Sequence, residues 1–156
     1  MQAGILIFCC GNPSRGDDAI GSLFFERLEK IRGGFDVFCD YQLQIEHVFD
    51  MNERDCVIFI DASVDIVGPF EMREIFPRKE ICHSTHILSP EALLEVYVRI
   101  LKKPHPKAYL LGVKGQSFDL GEPLSRDAER NLELAWDFLK QFLGLKCSFG
   151  KAAFPG

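Results

Sequence analysis

The sequence predicts an α/β domain, a three-layer sandwich in which helices cover both faces of a mostly parallel, twisted sheet with one antiparallel edge strand. Apolar runs recur at 4–10, 56–60 and 108–113, as in parallel strands that are covered on both faces. Segments with helical spacing of apolar residues alternate with these runs, which favours strand–helix–strand units. The chain has 156 residues, 47% of them hydrophobic, which is enough for one core. We expect a single domain over residues 1–145 and a loose tail over 146–156.

Five elements are predicted in the first half of the chain: a strand at 4–10, a helix at 18–32, a strand at 35–39, a short helix near 45–51 and a strand at 56–60. The first helix rests on apolar residues three and four positions apart, among them Ile20, Phe24 and Leu28. Gly33 and Gly34 are expected to end it, because glycine readily adopts the left-handed conformation that closes helices.

Four elements are predicted in the second half: an edge strand at 70–76, a helix from 90 to about 103, a buried strand at 108–113 and a last helix that Ser125 opens. The helix at 90 has the strongest start signal. Ser89 can cap it, Pro90 suits its first position, and Glu91 lies near the positive end of the helix dipole. The edge strand mixes charged with apolar residues, which is typical of an exposed edge.

Composition disfavours several partners and locations. The net charge is −5 and no basic block occurs, whereas nucleic-acid binding needs clustered Lys and Arg. No apolar run reaches the length of a membrane span, and the N-terminus lacks the charged region of a signal peptide. Four of the six cysteines, Cys9, Cys10, Cys39 and Cys56, lie in or beside apolar runs, where free Cys behaves as a small hydrophobe. We therefore expect a reduced, cytoplasmic protein that neither binds nucleic acid nor inserts into membranes.

The loop after the first strand is punctuated by glycines but carries two acids, Asp17 and Asp18. Loops of this kind usually bind phosphate, because the start of the following helix offers unpaired N–H groups and a positive dipole end. Here the lysine and hydroxyl of a P-loop are absent, and Gly11, Gly16 and Gly21 are five apart, unlike the dinucleotide-binding pattern. The loop is therefore predicted to present a carboxylate to a cation.

Ionisable residues follow the predicted strands at three places, and ligands in such folds bind beyond the carboxyl ends of the strands. Asp18 lies in the first loop, Asp61 directly follows a buried strand, and His86 precedes a helix. Asp61 follows four apolar residues, and a carboxylate in such a place needs a partner or a metal because its desolvation is costly. The simpler role for Asp61 is to cap the turn that follows. Two carboxylates and one imidazole would make a three-ligand site for a divalent metal.

Simpler roles are available for other polar residues near this site. Asp17 is expected to cap the helix that follows it, since an acid in a first helical turn needs no further explanation. Cys82 and His83 could form a different metal site, but one H-x-x-H in a loop is a weak signal. His47 and His105 have no ionisable company in the sequence, and no special role is predicted for either.

Taken together, three motifs resemble those of the hydrogenase maturation endopeptidases. The family has G-N and then D-[D/E]-x-x-G after its first strand, an Asp that closes an apolar strand before Ala, and a His ahead of a later helix. In this chain the motifs are Gly11-Asn12 with Asp17-Asp18 and Gly21, then Asp61-Ala62, then His86. The resemblance spans about residues 4–143, and the three motifs in order are more specific than any one of them.

The resemblance implies an activity and a site. Family members remove a short C-terminal peptide from the large-subunit precursor of [NiFe] hydrogenase after nickel insertion. By this resemblance Asp18, Asp61 and His86 bind nickel that the substrate's cysteines also hold, so that cleavage waits for metal loading. Zinc and cadmium are other candidate occupants of the site, and many members have Glu at the position of Asp18. The supporting loop would comprise Gly11, Asn12, Asp17 and Gly21.

Two other classes of function fit part of the pattern. A receiver domain of the response-regulator type would use Asp17, Asp18, Asp61 and Lys114 as its acidic pair, phospho-acceptor and lysine. In that class the acids directly follow the strand, whereas a glycine loop intervenes here, and His86 would have no role. A non-catalytic relative that binds a metalloprotein without cutting it is the other alternative, which only an activity assay separates from a protease.

Overall fold

The structure, a computed structural model, describes residues 4–80 and 88–145, which form five strands and four α-helices. In chain order the elements are β1 (Ile5–Cys10), α1 (Ile20–Leu28), β2 (Phe35–Asp40), α2 (His47–Met51), β3 (Cys56–Ser63), β4 (Phe70–Glu74), α3 (Pro90–Leu101), β5 (Lys107–Lys114) and α4 (Arg126–Phe142). A 3₁₀ turn, Gly16–Ala19, precedes α1. The strands form one sheet in the order β2-β1-β3-β5-β4.

The order of the strands creates a crevice at one end of the sheet. β1 pairs in parallel with β2 and β3, β3 pairs in parallel with β5, and β4 pairs antiparallel with β5. The predicted mostly parallel sheet with one antiparallel edge strand is therefore confirmed. The chain leaves β1 toward one edge and returns to β3 on the other side of β1, which makes a topological switch point. In open α/β sheets, ligands bind at such a point, outside the carboxyl ends of the strands.

Helices cover both faces of the sheet, which explains why β1, inside the sheet, has the sequence ILIFCC without a polar residue. Side chains along a strand point alternately to opposite faces. Leu6 and Phe8 of β1 pack with α2 and α3, whereas Ile7 and Cys9 pack with α1 and α4. Every position of β1 is thus apolar because each face has its own core. Full burial of a Leu, Ile or Phe side chain contributes about 1.5–3 kcal/mol.

Two predicted helix starts are confirmed with their caps. The hydroxyl of Ser89 accepts a hydrogen bond of 3.0 Å from the N–H of Ala92, at the start of α3. At the start of α4 the hydroxyl of Ser125 accepts one of 3.2 Å from the N–H of Ala128. Each bond satisfies a backbone donor that has no partner within its helix.

The first helix is shorter than the predicted segment 18–32. The chain takes a 3₁₀ turn through Asp18, and α1 then runs only from Ile20 to Leu28. Leu28 is the last side chain of this segment that is fully buried, and most residues up to Arg32 are exposed. Without an apolar face to bury, the helix gains nothing from packing beyond Leu28, so Gly33 and Gly34 do not end it.

Strand ends also differ from the sequence prediction. β3 continues past residue 60 to Ser63, because Ala62 and Ser63 pair with Val113 and Lys114 of β5. β4 ends at Glu74, two residues before the predicted end.

Two segments lie outside the described residues: the tail 146–156 and the segment 81–87, which contains Cys82, His83 and His86. Within the described ranges, no helix is both long and apolar enough to span a bilayer.

Candidate functional site

Asp18 and Asp61 line the same cavity, of about 590 Å³, at the carboxyl ends of β1 and β3. The cavity is built from four parts of the chain: the end of β1 with the loop after it, the loop after β2, one face of β3, and the start of α3. Its lining residues are Cys10, Gly11, Asn12, Arg15, Asp18, Tyr41, Gln42, Leu43, Phe59, Asp61, Leu88, Ser89 and Pro90. The fold thus brings together two acids that are 43 positions apart in the sequence.

The glycines of the loop are needed because backbone segments come into contact there. Their positions in the sequence are therefore explained without phosphate binding. A Cβ at Gly21 would lie 2.1 Å from the carbonyl oxygen of Cys10, so only glycine lets α1 approach the end of β1. Gly11 has a φ of +145°, and a Cβ there would lie 2.2 Å from the carbonyl oxygen of Asp18. The loop folds back on itself, and the N–H of Asn12 donates a 2.8 Å hydrogen bond to Oδ2 of Asp18.

Asp17 points away from the cavity and does not cap the helix, contrary to the prediction. Its side chain is fully buried, and neither the 3₁₀ turn nor α1 has a side-chain cap. The carboxylate accepts hydrogen bonds from the N–H groups of Gln116, Ser117 and Ser125 at 2.7, 3.1 and 2.7 Å, and from the Ser125 hydroxyl at 2.9 Å. Burial by itself raises the pKa of Asp17, but these four bonds outweigh it and leave the pKa below its usual value.

Asp61 lies within β3, where it faces the cavity. Its Oδ1 accepts a 2.8 Å hydrogen bond from the N–H of Ala62. Burial is the main cause that raises the pKa of Asp61 to about 7; the charge of Asp18 adds to this, and the bond from Ala62 opposes it. Across residues 4–80 and 88–145, neither Asp61 nor Asp18 forms an ion pair with a basic side chain. Two carboxylates that face one cavity and form no ion pair suit a cation.

The donor set is incomplete within the part of the chain that the structure describes. There, no group of three or more His, Cys, Asp or Glu side chains is arranged to hold a metal ion. The predicted third ligand, His86, lies outside the described residues. The described chain resumes at Leu88, which lines the cavity and forms an isolated antiparallel bridge with Leu43. Carboxylate oxygens suit divalent metals, and an imidazole nitrogen added to them suits nickel and zinc.

Several cavity residues could not be identified from local motifs. Cys10 lines the cavity and is buried; burial, followed by the charge of Asp61, raises the pKa of its thiol well above the usual value. Tyr41 and Gln42 form a wall because they follow β2, whose end lies beside that of β1. The rule that sites lie at strand ends points to this wall, but no residue type marks it.

His47 has an ionisable neighbour that the sequence did not suggest. Its Nε2 lies 3.5 Å from Oδ2 of Asp40, and its Nδ1 accepts a 2.9 Å hydrogen bond from the N–H of Gln44. The ring packs on Phe8 with 4.9 Å between ring centroids. These contacts join the end of β2 to the start of α2 and so fix the base of the loop 41–46.

Asp61 also borders a second, smaller cavity of about 220 Å³. In the sheet register Asp61 is paired with Gly112, which is paired with Glu71. Directly paired residues point to the same face, and because Gly112 has no side chain, a gap lies between the two acids. Arg73 closes one side of this gap, and its Nη2 donates a 3.1 Å hydrogen bond to the buried Glu91.

The fold and the cavity together define the class of this protein: an α/β sandwich with a cavity that carries two acids at its topological switch point. Solved structures of similar fold include hydrogenase maturation proteases. The chain matches the hydrogenase maturating endopeptidase HybD from E. coli with a TM-score of 0.72, 24% identity and coverage of 92% of each chain. It matches the maturation protease HycI from Thermococcus kodakarensis with a TM-score of 0.68, 23% identity and coverage of 91% of this chain and 93% of that one.

The fold is also that of the endopeptidase HycI from Escherichia coli, with a TM-score of 0.68, 20% identity and coverage of 100% of this chain and 97% of that one. No protein-family model matches the sequence, and a search of curated proteins finds no match. At these identities the comparisons show the fold. The resemblance that the three motifs indicate is therefore confirmed as a shared fold over nearly the whole chain.

We predict that Gly21→Ala lowers the free energy of unfolding by about 1–3 kcal/mol, because its Cβ would meet the carbonyl of Cys10 in a well-packed region. Gly68→Ala is the matched control, since the nearest atom to a Cβ there is the Phe70 carbonyl oxygen at 3.8 Å. Chemical denaturation of both variants measures the difference. Equal stability of the two variants would show that the close approach of α1 and β1 is not needed.

We also predict that Asp61→Asn stabilises the metal-free protein, by an amount that grows from about pH 4 and is greatest above pH 7. The folded-state pKa of Asp61 is about 7, against 3.8 for the unconstrained acid. Between these two pKa values the folded protein keeps Asp61 protonated, whereas the unfolded chain has lost that proton. The free energy of unfolding therefore falls from about pH 4 upward, and the loss is complete above pH 7. One pKa unit corresponds to about 1.4 kcal/mol, and because Asp61 is partly exposed we expect a gain of roughly 1–3 kcal/mol at pH 8.

Denaturation in a chelator-containing buffer at pH 4 and pH 8 measures this gain. The control is Asp65→Asn, which removes the same charge from an exposed position in the loop after β3. The expected pattern is a gain at pH 8 for Asp61→Asn alone. A gain that is the same at both pH values would contradict the prediction.

Proposed function

We propose that this protein is an endopeptidase that removes the C-terminal extension of the large-subunit precursor of a [NiFe] hydrogenase after nickel insertion. One observation carries the proposal: Asp18 and Asp61, which belong to two separate motifs of the resemblance, line one cavity at the switch point of the sheet. The shared fold with proteins named as hydrogenase maturation proteases supports it.

In this proposal the nickel belongs to the substrate, and the protein recognises it through Asp18, Asp61 and His86. The first two offer carboxylate oxygens that form no ion pair with a basic side chain among the described residues, and the third would add an imidazole nitrogen. Leu88 supports the inclusion of His86, because it lines the cavity and is only two residues, at most about 7 Å of chain, further along. The metal would supply the positive charge that the two acids recognise.

The rest of the cavity suits a peptide segment that leads to the metal. Arg15, Asn12 and Gln42 offer groups that can form hydrogen bonds to a peptide backbone, and Leu43 and Phe59 offer apolar contacts. A nucleophilic role for Cys10 is disfavoured, because its raised pKa keeps the thiol protonated and the thiolate is the reactive form. We therefore assign Cys10 to the wall of the cavity.

The receiver-domain alternative has less support. Receiver domains of the flavodoxin-like type have five strands in the order 2-1-3-4-5, whereas here β5 is inside the sheet and the antiparallel β4 is at its edge. Asp17 accepts four hydrogen bonds outside the cavity, and Lys114 is not among the residues that line the cavity.

We also propose a reducing, cytoplasmic location, which the free state of Cys9, Cys10, Cys39 and Cys56 supports.

The experiment is to incubate the protein with a hydrogenase large-subunit precursor, with and without nickel loaded, and to measure the intact mass of the precursor. We predict loss of a C-terminal peptide from the nickel-loaded form only. Asp61→Asn and His86→Ala should abolish processing while the variants remain folded, because each removes a proposed ligand. Asp18→Glu should retain processing, since it keeps the carboxylate and adds one methylene.

Matched controls are Asp65→Asn and His105→Ala, which remove the same side-chain types elsewhere and should process normally. Cleavage without nickel would leave a protease but exclude nickel recognition. Full activity of Asp61→Asn or His86→Ala would remove that residue from the site. If neither precursor form is cut but the loaded form binds, the protein is a binding relative and the protease proposal is wrong.

A further inference from the structure

We infer that Asp17 is a positioning residue, which fixes the orientation of its neighbour Asp18 toward the cavity. The inference rests on the proposed function, in which Asp18 is a metal ligand. The two adjacent acids differ in their surroundings: the Asp18 side chain lines the cavity, and the Asp17 side chain is fully buried on the other side of the 3₁₀ turn. The two acids therefore have different roles: Asp18 faces the cavity, and Asp17 holds the turn in place.

Both oxygens of Asp17 are occupied by donors from the segment 115–125, which links β5 to α4. Oδ2 accepts bonds from Gln116, Ser117 and the Ser125 hydroxyl, and Oδ1 accepts one from the Ser125 N–H. All four donors are uncharged, and three of them are backbone groups. A buried acceptor with this many backbone donors fixes two segments of chain in one relative position, because each donor left unpaired would be costly.

The backbone around Asp17 is held by the same segment. The N–H of Asp17 donates to the carbonyl of Ser117 at 2.7 Å, and the N–H of Gly16 donates to that of Glu122 at 3.1 Å. In the opposite direction, Gly121 donates to the carbonyl of Ser14 at 2.7 Å. Neither the loop 11–19 nor the segment 115–125 contains a strand or an α-helix of its own, so these bonds set where the 3₁₀ turn lies.

The position of the turn decides where the Asp18 carboxylate points. Asp17 and Asp18 share a planar peptide unit, so a displacement of one moves the other. On the other side, Oδ2 of Asp18 accepts the N–H of Asn12 at 2.8 Å, which requires the turn to stay close to the end of β1. Residues that hold a metal ligand in this way typically change metal affinity 10–100-fold when they are replaced.

Asp17→Asn is the decisive variant, because it preserves the shape of the side chain but replaces an acceptor oxygen with an NH₂ group that faces N–H donors. A variant that is only destabilised must be distinguished from one in which Asp18 has moved. Leu139→Ala is the stability control: Leu139 is fully buried in α4, 14 residues and about 21 Å along the helix from Ser125. All measurements are made well below the melting temperature of each variant.

Two readouts are used, and the first needs no metal. Amide hydrogen exchange reports the Asn12 N–H, which should exchange at least tenfold faster in Asp17→Asn than in Leu139→Ala. Calorimetric titration with Ni²⁺ alone should show affinity 10–100-fold weaker in Asp17→Asn, and within about threefold of the wild type in Leu139→Ala. If Asp17→Asn does not fold, Ser125→Ala, which removes one of the four donors, should shift both readouts in the same direction.

Equal behaviour of Asp17→Asn and Leu139→Ala in both readouts would overturn the inference and leave Asp17 with a stability role only. Wild-type protein that neither binds Ni²⁺ nor processes a precursor would overturn the proposed function instead. In that case the exchange rate of Asn12 in the metal-free protein still decides whether Asp17 holds Asp18 in place.

Discussion

The buried carboxylate of Asp17 is the interaction on which the acidic cavity depends. It joins residues 99 to 108 positions apart in the sequence, and it does so between two segments that contain no strand or α-helix. A sheet of parallel strands fixes where its strands end, but it does not fix the loops that leave those ends. Here the Asp17 carboxylate, with its four neutral donors, fixes the loop after β1 against the segment 115–125. Gly11 and Gly21 allow this loop and α1 to approach the end of β1 closely.

The sheet contributes the second constraint, which is the register between β1 and β3. Cys9 is paired with Ile60, so Asp61 lies one step beyond the last paired residue, beside the loop that leaves β1. A shift of the register by one residue would turn Asp61 to the opposite face and into the core formed with α1 and α4. The apolar residues on both faces prevent such a shift, because it would exchange the two cores. Packing far from the cavity therefore determines which side of the sheet carries the acid.

Much of this arrangement could be predicted from the sequence. Apolar runs located the buried strands, cap residues located the starts of α3 and α4, and the strand-end rule brought Asp18 and Asp61 to the same edge. Two features could not be predicted. The pattern D-D does not reveal that Asp17 turns inward, because its partners lie about 100 residues away. The pair His47 and Asp40 likewise depends on where α2 lies against β2. The spacing of residues predicts helices, strands and their caps, but it does not predict contacts between loops that are far apart in the sequence.

The position of Asp61 between two cavities has a consequence for chemical probes. The smaller cavity, with Gly112 as its floor and Arg73 at its side, reaches the same carboxylate from the edge of the sheet away from Asp18. A compact molecule that fills those 220 Å³ would contact Asp61 without entering the larger cavity where Asp18 lies. Small molecules could therefore be selected against a pocket that is lined by Asp61 but not by Asp18.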